Sequence, residues 1–200
     1  MTGLPLPRVW FINKKSDKLI QIQLNRFLYN WRKMEEKHTY PSFPKIKVEF
    51  HKNFELFLSF LEKENITFRN FHQCELTYIN HIPKGQGWES IEDIQNVFPD
   101  ITWRSDEGRF LKKPLDTFFQ TKFKLPEDKG HLNVKYQHVH QKIDKTPLLV
   151  LEISARGLGG DKSPQAMSEW FELAHEWIVK GFEDLTDLEI QKKFWKKYVR

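Results

Sequence analysis

His138 and His140 stand two residues apart in an alternating stretch, so a strand would carry both imidazoles on one side. Such a pair can hold a metal when a neighbouring strand brings a third ligand, and Glu152 or His131 are the available candidates. Neither completes a recognisable ligand set, so the stretch reads as a polar stripe on a half-buried sheet. No metal and no cofactor are expected. His175-Glu176 lacks the second histidine of an HExxH zinc helix, because position 179 is Val179, and His175 reads as a packed helix residue. Ser154 sits between Ile153 and Ala155, without the G-x-S-x-G elbow that would expose a nucleophile. Cys74 shares a strand side with Leu76 and Tyr78 and reads as a buried, unreactive thiol. No catalytic residue is assigned on these grounds.

Gly157-Leu-Gly-Gly-Asp-Lys-Ser163 approaches a phosphate-binding loop in composition. Its spacing misses G-x-x-x-x-G-K-[ST], and the carboxylate of Asp161 would oppose a phosphate, so it reads as a connector ending in a helix cap. A different set could line a small-molecule pocket between a sheet and a long helix: Tyr78, Asn80, His138, Glu152 and His175. Lys192, Lys193, Lys196, Lys197 and Arg200, with Trp195 and Tyr198 among them, could contact phosphates and bases. Cations at a helix C-terminus also complement its dipole, and that reading is preferred. Asn30-Trp31-Arg32 and Thr102-Trp103-Arg104 each place an arginine beside an indole it could stack on, but the preferred reading is of aromatic anchors at strand ends. Finally, Gln21 and Gln23 alternate with Ile20, Ile22 and Leu24, which gives one strand an amide face. Amides recognise or support; they do not perform acid–base chemistry.

The elements that carry these residues follow from period and punctuation. Arg8–Ile12 and Leu19–Trp31 should be two strands joined by a Lys/Ser/Asp turn. Pro41-Ser-Phe-Pro44 should break the chain before a short strand over 45–51, and Asn53 should cap a helix to about Glu64. Gln73–Ile82 alternates as a strand. Ser90-Ile-Glu-Asp93 has capping-box spacing, and three further strands are expected over 117–125, 131–141 and 147–156. Ser163-Pro164 opens the longest helix, whose stripe runs through Met167, Trp170, Phe171, Ala174, Ile178 and Phe182. Thr186-Asp-Leu-Glu189 starts a last helix through Tyr198.

The order ββαβαβββαα predicts an α+β protein: a curved, mostly antiparallel sheet covered on one face by helices. Its 200 residues read as a single domain. Strands followed by an aromatic-rich helix occur in both halves, which suggests a duplicated TATA-binding-protein-like or helix-grip-like architecture. One cysteine excludes an internal disulfide and suits a reducing cytoplasm. No basic leader and no apolar run of spanning length is present, so no membrane role is expected. A net charge of +5 is compatible with an anionic partner without requiring one.

Several motifs keep their order along the chain: Pro7-Arg-Val-Trp-Phe-Ile12, Leu19-Ile-Gln-Ile-Gln23, Arg26-Phe27, Asn30-Trp-Arg-Lys33, Gln73-Cys-Glu-Leu-Thr-Tyr-Ile-Asn-His-Ile82, Gly87-Trp-Glu-Ser90 and Ala174-His175-Glu-x-Ile178 with Phe182. From about residue 5 to about residue 199 the chain resembles a sporadically distributed prokaryotic family without an assigned activity. The resemblance supplies no catalytic residues. Its scattered occurrence resembles that of defence or toxin–antitoxin genes and implies an accessory, protein-binding role. Members usually carry a strand and helix before the Arg-Val-Trp-Phe hairpin, and this chain starts almost at the hairpin. Pairing of the first hairpin with another polypeptide or with a second copy is therefore expected. The leading expectation is a non-enzymatic cytoplasmic binding protein whose contacts are Gln21, Gln23, Asn30, Trp31 and Arg32. The pocket reading is the alternative, and nucleic-acid binding by the C-terminal cations is the second.

Overall fold

Leu24 and Asn25 turn the chain back on itself, so the alternating run from residue 19 is two strands and not one. In the computed structural model, which describes residues 7–35, 38–104, 106–111, 113–141 and 144–195, Lys18–Gln23 (β2) and Arg26–Trp31 (β3) form a hairpin with Gln23 opposite Arg26. The element order is consequently βββαβαβββαα, one strand more than expected. Chain contacts gather into two units, residues 1–69 and 70–200, and the strands form two antiparallel sheets of three and four strands. The α+β class stands.

In the first unit, Val9–Ile12 (β1) pairs with β2, giving the order β1-β2-β3. Register puts Ile20 opposite Phe11 and Tyr29, and Ile22 opposite Val9 and Phe27, all on one side. Helix α1, Phe43–Lys63, covers that side by seating Phe50, Phe54 and Phe57 on Phe27, with ring centroids 5.9, 5.2 and 5.3 Å away. The expected strand over 45–51 is thus helix. Pro44 does not break the chain; it lies in the first turn, where its fixed φ suits a helix start and no N–H is missed. Asn53 is no cap, and its amide donates to the Glu49 carbonyl one turn back at 2.7 Å. Glu49 itself accepts from Lys18 Nζ at 2.6 Å and from the Tyr29 hydroxyl, joining β2, β3 and α1.

The second unit repeats this connectivity and adds a strand. Thr117–Lys124 (β5), His131–His140 (β6) and Pro147–Gly157 (β7) pair in chain order, and Cys74–Pro83 (β4) lies beside β7, giving β4-β7-β6-β5. β7 is central, which is why Leu148–Leu151 is an unbroken apolar run buried on both sides. Helix α3, Pro164–Leu185, brings Met167, Trp170, Phe171, Ala174 and Ile178 to the sheet side that carries Leu149, Leu151, Ile153 and Ala155. Ser163 caps it by accepting from Ala166 N–H at 3.1 Å. Between β4 and β5, a 3-10 turn (Ile91–Asp93) and a short helix α2 (Ile94–Val97) bury Ile91, Ile94, Val97 and Phe98, with the Ser90 capping box closed as the spacing implies.

Two glycines are obligatory where the β5–β6 turn crosses the end of β7. A Cβ on Gly130 would lie 2.0 Å from the Arg156 carbonyl oxygen, and one on Gly157 would lie 1.9 Å from that of Lys129. Helix α4, Leu188–Phe194, is capped by Asp187 and not by Thr186, because the Asp187 carboxylate accepts from Glu189 and Ile190 N–H at 2.9 Å. Thr186 instead donates to the Phe182 carbonyl at 2.6 Å.

Candidate protein-binding surface

On the side of the first sheet opposite α1, register aligns three rows: Trp10 and Ile12 on β1, Leu19, Gln21 and Gln23 on β2, and Arg26, Leu28 and Asn30 on β3. The amide stripe exists as read: Gln21 and Gln23 lie opposite Ile20 and Ile22. Leu24 does not join the apolar side, because it occupies the turn. Arg8 extends the row, and the amide oxygen of Gln23, in the orientation that satisfies both groups, accepts from its Nε at 2.7 Å and its Nη2 at 3.0 Å. No carboxylate stands among these strand positions.

The other expected contact residues divide. Asn30 belongs to this row and is exposed. Trp31 turns to the α1 side, where its ring meets Tyr40 edge-on at 5.4 Å. Arg32 does not stack on Trp31; its Nε donates to the Ser16 carbonyl at 2.8 Å and so braces the β1–β2 turn. In the second tryptophan–arginine pair it is Arg109, not Arg104, that lies over Trp103, at 4.8 Å.

The first hairpin was expected to pair with another chain, but the side chains of β1 were not singled out. Four successive apolar residues suggest a strand buried on both sides, yet Val9, Trp10, Phe11 and Ile12 are 49%, 52%, 56% and 48% exposed. Among the described residues their strand is an edge, with β2 on one side only. Trp10, Ile12 and Arg26 become legible once the hairpin is placed: the α1-side positions are Ile20 and Ile22 on β2 but Phe27, Tyr29 and Trp31 on β3, and that change of parity marks the turn. Charge is also uneven. The first unit holds 13 basic and 7 acidic side chains and the second 19 and 20, so the positive excess lies in the first.

The five proposed pocket residues are not brought together. Tyr78 and Asn80 face α3, and the Tyr78 ring lies 6.2 Å from that of His175. Both strand residues line a cavity of about 270 Å³ with Ile178, Val179, Phe182 and Trp195. Glu152 points to the opposite sheet side, where it holds Lys135 Nζ at 2.7 Å. His138 shares the α3 side, but register sets it four residues along and two strands over from Tyr78, about 16 Å by strand geometry.

His138 is no solvent-facing stripe residue: it is 7% exposed and packs edge-on to Trp88 at 5.8 Å. Burial, with help from His140, holds its imidazole below the ordinary value against the opposing pull of Asp116 and the Leu115 carbonyl. Among the described residues no three His, Cys, Asp or Glu side chains gather as a metal site would require. Burial likewise pushes the Cys74 thiol up to about 11 despite Lys162, so it stays protonated and inert.

In the 157–163 loop the Asp161 carboxylate accepts from Ser163 N–H at 2.8 Å and Lys162 Nζ donates to the Gly159 carbonyl, so its polar groups close the loop and the α3 cap. Gln191, which the sequence did not single out, is a buried amide on α4 that donates to Thr186 Oγ1 at 2.8 Å and to two carbonyls. Lys192 pairs with Glu189 at 2.8 Å and Lys193 lies over Phe194. Lys196, Lys197 and Arg200 lie outside the described residues.

Compared with protein-family models, curated proteins and solved structures, the chain matches none.

Proposed function

We propose that this chain is a non-enzymatic cytoplasmic binding protein that holds a polypeptide partner on the first sheet, through Trp10, Ile12, Gln21, Gln23, Arg26 and Asn30. The observation that carries this reading is the half-exposed apolar edge strand beside a row of amides and arginines without a carboxylate. Interface centres combine exposed aromatics and arginine in this way, while lone surface apolar residues carry no such meaning. The resemblance noted above suggests the setting, an accessory or toxin-neutralising component of a prokaryotic defence system. Single-cysteine chemistry supports a reducing compartment, and no described helix is long and apolar enough to cross a membrane. The test is co-purification from the native host with wild-type chain and with an Arg26→Glu/Asn30→Asp double variant. One partner retained by the wild type and lost from an equally stable variant is the expected result. A partner retained equally by both overturns it.

A second reading rests on the cavity between β4, α3 and α4. Tyr78 and Asn80 offer polar groups above the apolar Ile178, Val179 and Phe182, which suits a small ligand better than a protein. Native mass spectrometry of the purified chain would show such a ligand as a bound mass lost in Asn80→Leu.

A further inference from the structure

Antiparallel ladders alternate which residues bond to which side. Asn13 N–H donates to the Lys18 carbonyl, so Val9, Phe11 and Asn13 bond inward to β2, while the N–H and C=O groups of Trp10 and Ile12 point away from it. Among the described residues those outward groups have no partner. An edge that is apolar on both sides and unblunted by proline or an inward charge is a template for another strand.

Charge decides which strand. Arg8 stands at one end of β1, and Lys14 and Lys15 at the other, all three exposed. An antiparallel second copy that bonded both Trp10 and Ile12 would set Arg8 opposite the copy's Lys14, and like charges directly opposite destabilise a pair. Sliding the copy by two residues sets Trp10 opposite its own counterpart and each Ile12 opposite an Arg8, which fills the ladder but gives none of the flanking cations an anion. A heterologous strand with a carboxylate at each end meets neither problem.

Resting on the protein-binding reading above, we infer that β1 captures an extended segment of the partner by strand addition, and that this segment carries two apolar residues two apart flanked by acidic residues. Antiparallel to β1, its first acid lies by Lys14, its third and fifth residues bond Ile12 and Trp10, and its seventh, acidic again, lies by Arg8. Main-chain bonds hold the segment and the flanking charges select it.

The probe is a fluorescein-labelled peptide, Glu-Thr-Val-Val-Ile-Thr-Glu, titrated into the full chain and read by anisotropy. Exchanging both glutamates for lysine should weaken binding about tenfold or more, the loss of two close charge pairs. N-methylation of its third and fifth residues should abolish binding, because those amides supply the ladder bonds. An Arg8→Glu/Lys14→Glu variant should reverse the preference and bind the lysine peptide better, which also shows that the variant is folded. Equal binding of the two peptides, indifference to N-methylation, or no binding overturns strand addition. So does a concentration-dependent dimer of the free chain paired at β1, the second-copy outcome. If the peptide fails while a native partner still depends on Arg26 and Asn30, only the strand-addition inference falls. If the native partner ignores both residues, the protein-binding reading falls with it.

Discussion

Replacing Phe54 by alanine should strongly destabilise the first unit while leaving the second sheet intact. Phe54 is 7% exposed and touches Phe27, Phe50, Phe57 and Phe68 at centroid distances of 5.2, 5.8, 6.5 and 6.2 Å. All five rings come from residues 27–68, within the first unit. Truncating a buried phenylalanine costs about 3–5 kcal/mol, and each well-placed ring pair adds about 0.5–1.5 kcal/mol beyond area burial. A unit of this size has roughly 3–9 kcal/mol in total. The deletion therefore removes half or more of its stability and lowers its urea midpoint by about 3 M. Phe54→Leu, which keeps most of the volume, should cost only about 1–1.5 kcal/mol. Hydrogen exchange followed by mass spectrometry reads both units at once: peptides from α1 and β3 should lose protection in Phe54→Ala, while those from β6 and β7 keep it. A loss below about 1 kcal/mol, smaller than any core truncation of this kind, would refute the assignment of this cluster as the first unit's core. So would equal deprotection of both sheets.

Glu49→Gln should cost about 1 kcal/mol, a small value because Lys18 and Glu49 are 35% and 37% exposed and solvent screens the pair. Burial opposes ionisation of Glu49, but Lys18 and Tyr29 outweigh it and hold the carboxyl below its ordinary 4.5. Its stabilisation is complete above pH 4.5 and is lost as pH falls through the lower folded value, so denaturation curves of the variant should lack that acid limb. For His138, whose folded value lies below the ordinary 6.5, the neutral ring is the one the fold accepts. Stability should fall as pH drops below 6.5, and His138→Phe should flatten that slope in thermal melts. Gly157→Ala should destabilise by about 2 kcal/mol or more, since the new Cβ meets the Lys129 carbonyl at 1.9 Å; a neutral result in a urea melt would contradict the crossing of the β5–β6 turn and β7.

Where local chemistry decides, the sequence was legible. Ser163-Pro164 marks the start of α3, Ser90 and Asp93 close their box, and the alternation from Cys74 to Ile82 is β4 with the faces that the pattern assigns. Where two local signals compete, it was not. Ile46 and Val48 look like strand residues, but the aromatic stripe of Phe50, Phe54 and Phe57 recruits them into one helix opened by Pro44. The Leu24-Asn25 turn hides inside a run from Leu19 to Trp31 with no glycine or proline to mark it. Faces across different strands depend on register, which no single strand encodes: Glu152 left the expected pocket and His138 went inward for that reason. Exposure of Val9–Ile12 depends on β1 being an edge, a property of the whole sheet.

The most direct test of the central claim is hydrogen exchange of the chain free and saturated with its native polypeptide partner. Protection should appear at the amides of Trp10 and Ile12 and across residues 19–30, with β4–β7 unchanged. Protection confined to the second unit, or none in the first sheet, would contradict the claim that the first sheet is where this protein binds.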